Sequence, residues 1–282
     1  MAEKAILYDA TKCTACRGCQ VACKQWNEND EYIPAPTDGT GVLAKNWGSY
    51  ENPPDLSPQT WLKMEFREIE PGGKVRWLFT RRACMHCTDA GCVRVCPNGS
   101  LYHDENGFVA YNKDTCTGCG YCIDACPFSV PRSERNILTG IAKMDKCTLC
   151  TTSGLDRIAA GWLPACVKTC PPGALKYGDR NELVTEGKKR VSVLKAKGWV
   201  NAYLYGENEL EGLHVMYVLD DFPEVYGLPA APKISAATIA WQDVIQPLGW
   251  ALGGLTILGL GLNYLIAREA KLTKELPGKK EE

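Results

Sequence analysis

An α+β fold of two related loop–helix–hairpin units, followed by one C-terminal transmembrane helix, is predicted by three features of this 282-residue chain. Its sixteen cysteines fall in four groups of four and nowhere else. Short runs that alternate apolar and polar residues are broken by turn-forming dipeptides, the pattern of β-hairpins. Near the C-terminus, 24 consecutive residues carry no charge, enough to span a bilayer as a helix. Composition narrows the classes further. With 32 basic against 33 acidic residues, the chain lacks the basic excess of a general nucleic-acid binder. A 45% hydrophobic and 23% charged composition excludes intrinsic disorder.

The cysteine groups are Cys13, Cys16, Cys19 and Cys23; Cys84, Cys87, Cys92 and Cys96; Cys116, Cys119, Cys122 and Cys126; and Cys147, Cys150, Cys166 and Cys170. Groups one and three read C-x2-C-x2-C-x3-C, the bacterial ferredoxin run for a cubane iron–sulfur cluster. Group two widens one gap to four residues, and group four opens its middle gap to fifteen. Pro97, Pro127 and Pro171 follow the last cysteine of three groups, whereas Lys24 follows Cys23. Three closely spaced thiolates wrap one cluster in a single loop, and the fourth cysteine points back toward a second cluster. A proline after it fixes the direction in which the chain leaves. Eight disulfides would require no such spacing, and zinc ribbons use C-x2-C pairs without repeating this run. Zinc at group four alone is a local alternative. Four [4Fe–4S] clusters are the expected cofactors.

Each element follows in order. Ala5–Tyr8 is a short strand, and the Pro/Gly-rich stretch from Pro34 to Pro58 is a surface loop. Trp61–Glu70 and Lys74–Arg81 flank Pro71-Gly72-Gly73 as a hairpin. Asn106-Gly107 turns a second hairpin within Ser100–Tyr111. Groups two and three thus make one ferredoxin-like two-cluster unit; groups one and four make another, interrupted by the first. Asn181–Lys197 is a helix ended by Gly198, Val200–Tyr205 and Leu213–Leu219 are strands over the cluster core, and Asp220 to Pro232 is a proline-bearing linker. The expected organisation is residues 1–34 and 135–180 as the first unit, 84–134 as the inserted unit, and 35–83 as a loop and hairpin. Residues 181–232 then form a cover and linker, 244–267 the transmembrane helix, and 268–282 a basic tail.

Val244–Ala267 extends about 36 Å as a helix at about 1.5 Å per residue. Gly249, Gly253, Gly254, Gly259 and Gly261 supply a small-residue face suited to close helix packing. Arg268, Lys271, Lys274, Lys279 and Lys280 follow it, against Lys233 alone in the preceding 15 residues. The positive-inside rule places the tail in the cytoplasm and the cluster domain on the periplasmic side. Met1-Ala2-Glu3-Lys4 carries neither a hydrophobic signal nor a twin arginine, so export is expected to depend on a partner's signal.

No substrate chemistry is visible: no dinucleotide fingerprint, no phosphate loop, no nucleophile with a base. His86, inside the second cysteine loop, is expected to be structural or at the surface, and His103 and His214 to be ordinary residues. Arg81-Arg82 reads as a solvated or subunit-facing basic pair. Lys12, Arg17, Lys24, Arg94 and Lys168 adjoin the cluster loops, for solubility or for screening of cluster charge. The expected function is electron transfer.

The run from Lys12 to Asn27 (KCTACRGCQVACKQWN), the four ferredoxin-type groups and the single C-terminal helix resemble the iron–sulfur β subunits of membrane-bound formate dehydrogenases. These belong to the four-cluster electron-transfer subunits of molybdopterin oxidoreductases. The likeness covers essentially the whole chain. It implies that Cys13, Cys16, Cys19 and Cys170 share one cluster, and that Cys23, Cys147, Cys150 and Cys166 share its pair-mate. Likewise Cys84, Cys87, Cys92 and Cys126 would hold a third, and Cys96, Cys116, Cys119 and Cys122 a fourth. The implied partners are a catalytic subunit with a molybdenum or tungsten pterin cofactor and a membrane cytochrome b or other quinone-interacting subunit, within the lipid bilayer. No nucleic acid and no small-molecule substrate of its own are implied. All sixteen positions are cysteine, so no three-iron cluster is expected. The same relay for a nickel–iron hydrogenase, or for another molybdopterin oxidoreductase, is the alternative.

Overall fold

The computed structural model describes residues 3–29, 50–135, 142–151 and 156–275. Most of the loop expected over Pro34–Pro58 lies outside the described residues, as does the end of the basic tail. The chain divides into two compact units, Met1–Ile234 and Ser235–Glu282. The first runs β1 (Lys4–Asp9), α1 (Gly18–Trp26), β2 (Lys63–Ile69), β3 (Arg76–Arg82), α2 (Gly91–Arg94), β4 (Leu101–His103) and β5 (Val109–Tyr111). It continues through α3 (Tyr121–Asp124), β6 (Arg132–Arg135), β7 (Ala142–Asp145), α4 (Ala165–Lys168), β8 (Leu175–Asp179), α5 (Arg180–Ala196), β9 (Tyr203–Tyr205) and β10 (Val215–Leu219).

Both expected hairpins form. In β2–β3, Phe66 faces Phe79 and Arg67 faces Leu78, and Gly72 and Gly73 turn the chain with φ of 63° and 77°. In β4–β5, the Asp104 carboxylate accepts hydrogen bonds from the backbone N–H groups of Asn106 and Phe108 at 3.0 and 2.7 Å. Gly107 takes φ 87° at the turn, tight against the His214 ring. A further antiparallel pair, β6–β7, was not foreseen.

The larger departure is a four-stranded sheet ordered β8-β1-β10-β9. Here β1 pairs antiparallel with β8 and parallel with β10. Residues 5–9 and the whole of β10 are buried because both faces of the sheet are covered. On one face Ile6, Tyr8, Val215, Tyr217 and Leu219 join the core that contains the cysteine loops. On the other, Ala5, Leu7, Met216 and Val218 pack with Leu183 and Leu194 of α5. Strand alternation thus sorts successive side chains into two cores. The N-terminus of α5 is capped by Asp179, whose carboxylate accepts from the N–H groups of Asn181 and Glu182. Its C-terminus gives way to Gly198 at φ 95°.

Asp220 to Pro232 is not a free linker. Tyr226 is buried, its hydroxyl donates to Asp220 at 2.7 Å, and its carbonyl accepts from the Thr80 hydroxyl at 2.8 Å. In the second unit, α6 (Ala236–Ala240) and α7 (Gln246–Glu275) are joined by a π-helical turn at Trp241–Ile245. Proline at 247 has no N–H for an i→i−4 bond, and the wide turn lies immediately before it. Gln246–Lys271 is long and apolar enough to cross a membrane, with mean hydropathy 1.5. It ends four residues beyond the stretch expected from sequence, since helical backbone continues into the basic flank.

Candidate metal centres

The four cysteine groups share a backbone device. In the first Cys-x-x-Cys of each group the residue before the second cysteine is left-handed: Ala15 at φ 52°, His86 at 48°, Gly118 at 72° and Leu149 at 57°. That turn directs the residue's own N–H back at the preceding sulfur. Ala15 N–H donates to Cys13 Sγ at 3.3 Å and Leu149 N–H to Cys147 Sγ at 3.4 Å, and His86 N–H does the same to Cys84. Further N–H groups reach Cys96 from Ser100 (3.2 Å) and Cys150 from Ala165 (3.5 Å). Such nests of backbone donors favour negative charge on the sulfurs.

The short helices carry the third cysteine of each group, and α1 carries the fourth as well. Where proline follows the fourth cysteine, the helix has four residues (α2, α3, α4) and the chain turns through Gly99, Ser129 or Gly173 at positive φ. Lys24 can continue a helix, and α1 accordingly runs nine residues. Trp26, the last of them, packs edge-to-face on Trp162 at 6.1 Å.

Cysteines distant in sequence are brought together. Helix α1 packs against α4, and α2 against α3. The thiol of Cys13 lies within electrostatic reach of Cys170 and Cys16. Cys23 has Cys147, Cys166 and Cys150 as neighbours, and Cys87 has Cys84, Cys126 and Cys92. Cys96, Cys116, Cys119 and Cys122 line one cavity with Pro97, Gly118 and Gly120. Electrostatic reach also bridges these sets: Cys19 with Cys166, Cys84 with Cys147, and Cys92 with Cys122. Cys16 and Cys119 are the exposed members.

Burial pushes the thiols of Cys19, Cys122 and Cys150 up to about 12 and that of Cys84 up to about 11. Thiolates in these positions therefore need cationic iron beside them. Among the described residues, no three His, Cys, Asp or Glu side chains converge as ligands of a single ion. A cavity lined by four thiols, with N–H groups trained on sulfur, fits a cubane bound at its corners rather than one central ion.

Two buried cations lie beside the cysteines, and sequence reading missed both roles. Arg81 is 1% exposed, with Nη2 4.0 Å from Cys166 Sγ. This corrects the reading of Arg81-Arg82 as one solvated pair: only Arg82 reaches the outside, bound to Asp55 and Glu65. Lys146 is also 1% exposed and donates to the carbonyls of Val109 at 2.5 Å and Cys147 at 3.0 Å. A basic residue next to Cys147 was the only available signal. His86 is structural, as expected, but fully buried: its Nδ1 accepts from Val109 N–H at 3.2 Å. Burial holds the imidazole well below its usual range, so it is neutral, with its proton on Nε2. Lys12 pairs with Asp9, Arg94 with Asp89, and Arg17 lies over the Phe66 ring.

Comparisons with known proteins agree with this chemistry. Two family models, each described as a 4Fe–4S dicluster domain, match residues 12–100 and 75–180. The iron–sulfur subunit of the nitrate-inducible formate dehydrogenase of Escherichia coli (strain K12) is 41% identical, over 94% of this chain and 85% of the relative. The formate dehydrogenase-O iron–sulfur subunit of the same organism is 42% identical, over 97% and 89%. The hydrogenase-2 operon protein HybA of Escherichia coli O157:H7 is 31% identical, over 90% and 83%.

Proposed function

The chain belongs to the family of formate dehydrogenase iron–sulfur subunits, and from that premise we propose a four-station electron relay with a defined ligand set. The chain is a non-catalytic electron-transfer subunit with 4Fe–4S dicluster domains. Bound clusters supply one-electron redox chemistry; the protein holds, spaces and insulates them. In the proposed set, Cys13, Cys16, Cys19 and Cys170 hold one cluster and Cys23, Cys147, Cys150 and Cys166 the next. Cys84, Cys87, Cys92 and Cys126 hold a third, and Cys96, Cys116, Cys119 and Cys122 the fourth. The observation that carries this reading is the company kept by each fourth cysteine, which sits beside thiols of another group.

The same packing, α1 on α4 and α2 on α3, supports a nested arrangement. Residues 84–134 would form a unit inserted between 1–34 and 135–180, with 35–83 and 181–232 around them. The neighbours Cys19–Cys166, Cys84–Cys147 and Cys92–Cys122 support a linear order of stations. Its ends would be the sets containing the exposed Cys16 and Cys119. A catalytic subunit with a molybdenum or tungsten pterin centre would meet one end, and a membrane cytochrome b or other quinone-interacting subunit the other. The helix within 244–267 would anchor the chain in the cell membrane, with the cluster unit on the periplasmic side and the tail cytoplasmic.

Anaerobic analysis of the purified complex tests the reading. About 16 iron and 16 sulfide per chain are expected for four cubanes; zinc without sulfide in any group would overturn the assignment there. The similarity to HybA favours one second reading, a relay serving a hydrogenase. Nickel in the copurifying large subunit, in place of molybdenum or tungsten, would select it.

A further inference from the structure

Arg81 stands at the end of β3 with its side chain turned inward, 1% exposed. Arg82 takes the carboxylates of Asp55 and Glu65. Arg81 has no carboxylate among the described residues, and its Nε and Nη1 find no hydrogen-bond acceptor there. Burying an unpaired guanidinium is costly, so something in the assembled protein must answer its charge. Its neighbours are the buried Tyr217 hydroxyl, which is uncharged, and sulfurs. Nη2 lies 4.0 Å from Cys166 Sγ, and the charge acts on Cys147, Cys19 and Cys23 as well. The second buried cation differs: the Lys146 ammonium is already bound by two backbone carbonyls. The backbone of Arg81 is pinned too, its carbonyl accepting from the Tyr217 hydroxyl at 2.5 Å.

We propose that Arg81 raises the reduction potential of the cluster held by Cys23, Cys147, Cys150 and Cys166 and, to a smaller degree, that of its pair-mate at Cys13, Cys16, Cys19 and Cys170. A cluster gains one negative charge on reduction, and its potential follows net charge, hydrogen bonds to sulfur and solvent exposure. A fixed cation inside a water-poor core stabilises the reduced form more than the oxidised one. Two N–H donors without protein acceptors, next to Cys166, are free to point at thiolate or sulfide. The set Cys84, Cys87, Cys92 and Cys126 has Lys146 beside it instead of Arg81.

This inference rests on the ligand set proposed above, so iron and sulfide are measured first in the unmodified complex. A deficit there strikes the ligand set, not Arg81. Redox titration of the complex, followed by electron paramagnetic resonance, then compares Arg81→Gln and Arg81→Lys. In Arg81→Gln, two of the four reduction steps are expected to move to lower potential. The larger move should be at least a tenfold loss in the reduction equilibrium, about 59 mV for one electron. Arg81→Lys should retain most of the original potential. Four unmoved steps in fully loaded Arg81→Gln, or equal shifts in both variants, overturn the proposal. A second measurement does not need Arg81→Gln to keep its clusters. With 15N-guanidinium arginine, hyperfine spectroscopy of the reduced complex should show a nitrogen coupling that Arg81→Lys abolishes. No coupling, or one that survives Arg81→Lys, overturns the proposal equally.

Discussion

At Gly118 the repeated cysteine-loop turn meets its tightest surroundings. A Cβ there would stand 2.2 Å from the carbonyl oxygen of Ala142, on a backbone with φ 72°. Gly120, two residues on, has φ 83° but nothing within 4 Å of its Cβ position. The left-handed conformation alone costs a side chain about 1–2 kcal/mol, so the two glycines separate strain from collision. Gly120→Ala is expected to lose about 1 kcal/mol and keep its iron. Gly118→Ala should displace the loop and drop about four irons per chain; a full iron complement in that variant would contradict the account. The sequence displays these glycines but not the oxygen opposite. Arg81 was similarly hidden: adjacent strand residues point to opposite faces, so a basic pair in β3 is one inward and one outward residue, not one surface patch.

Among the elements, the hairpins and the α5 helix were legible because their signals are local. Pro71-Gly72-Gly73, Asn106-Gly107 and the Gly198 stop each act within a few residues. The four-stranded sheet was not, because residues 4–9 find their partners at 175–179 and 215–219. No pattern inside a short apolar strand names a partner two hundred residues away. The cysteine helices lie between these cases, since their lengths follow the residue after the fourth cysteine. Lys24→Pro should therefore end α1 before Cys23, as the helices of the other three groups end two residues before their fourth cysteines. It would release Trp26 from Trp162 and the Asn27 amide from the Cys23 carbonyl, which it now reaches at 2.8 Å. A stability loss of about 3 kcal/mol with unchanged iron is expected from calorimetry and metal analysis. An unchanged melting temperature would refute it.

For the whole molecule, the near balance of 32 basic and 33 acidic residues does not describe the loaded protein. Each cubane with its four thiolates adds about −2, so the four proposed would add roughly −8 to the formal −1, giving about −9. The long apolar helix was legible from hydropathy alone, whereas the π-helical turn beside Pro247 was not. Sealed right-side-out vesicles offer the test of sidedness. Added protease should digest the cluster unit from outside and spare the basic tail; protection of the cluster unit would reverse the topology. The parallel pairing of β1 with β10 has a further consequence, for synthesis. A ribosome adding roughly 5–20 residues per second needs on the order of 10–40 s to travel from β1 to β10. Until first Cys170 and then β10 are translated, the nascent chain carries Cys13, Cys16 and Cys19 without the partner of the proposed ligand set and without the complete sheet. In the proposed ligand set the cysteines translated first thus wait longest for their partners, while 84–126 would close on itself long before the chain is released.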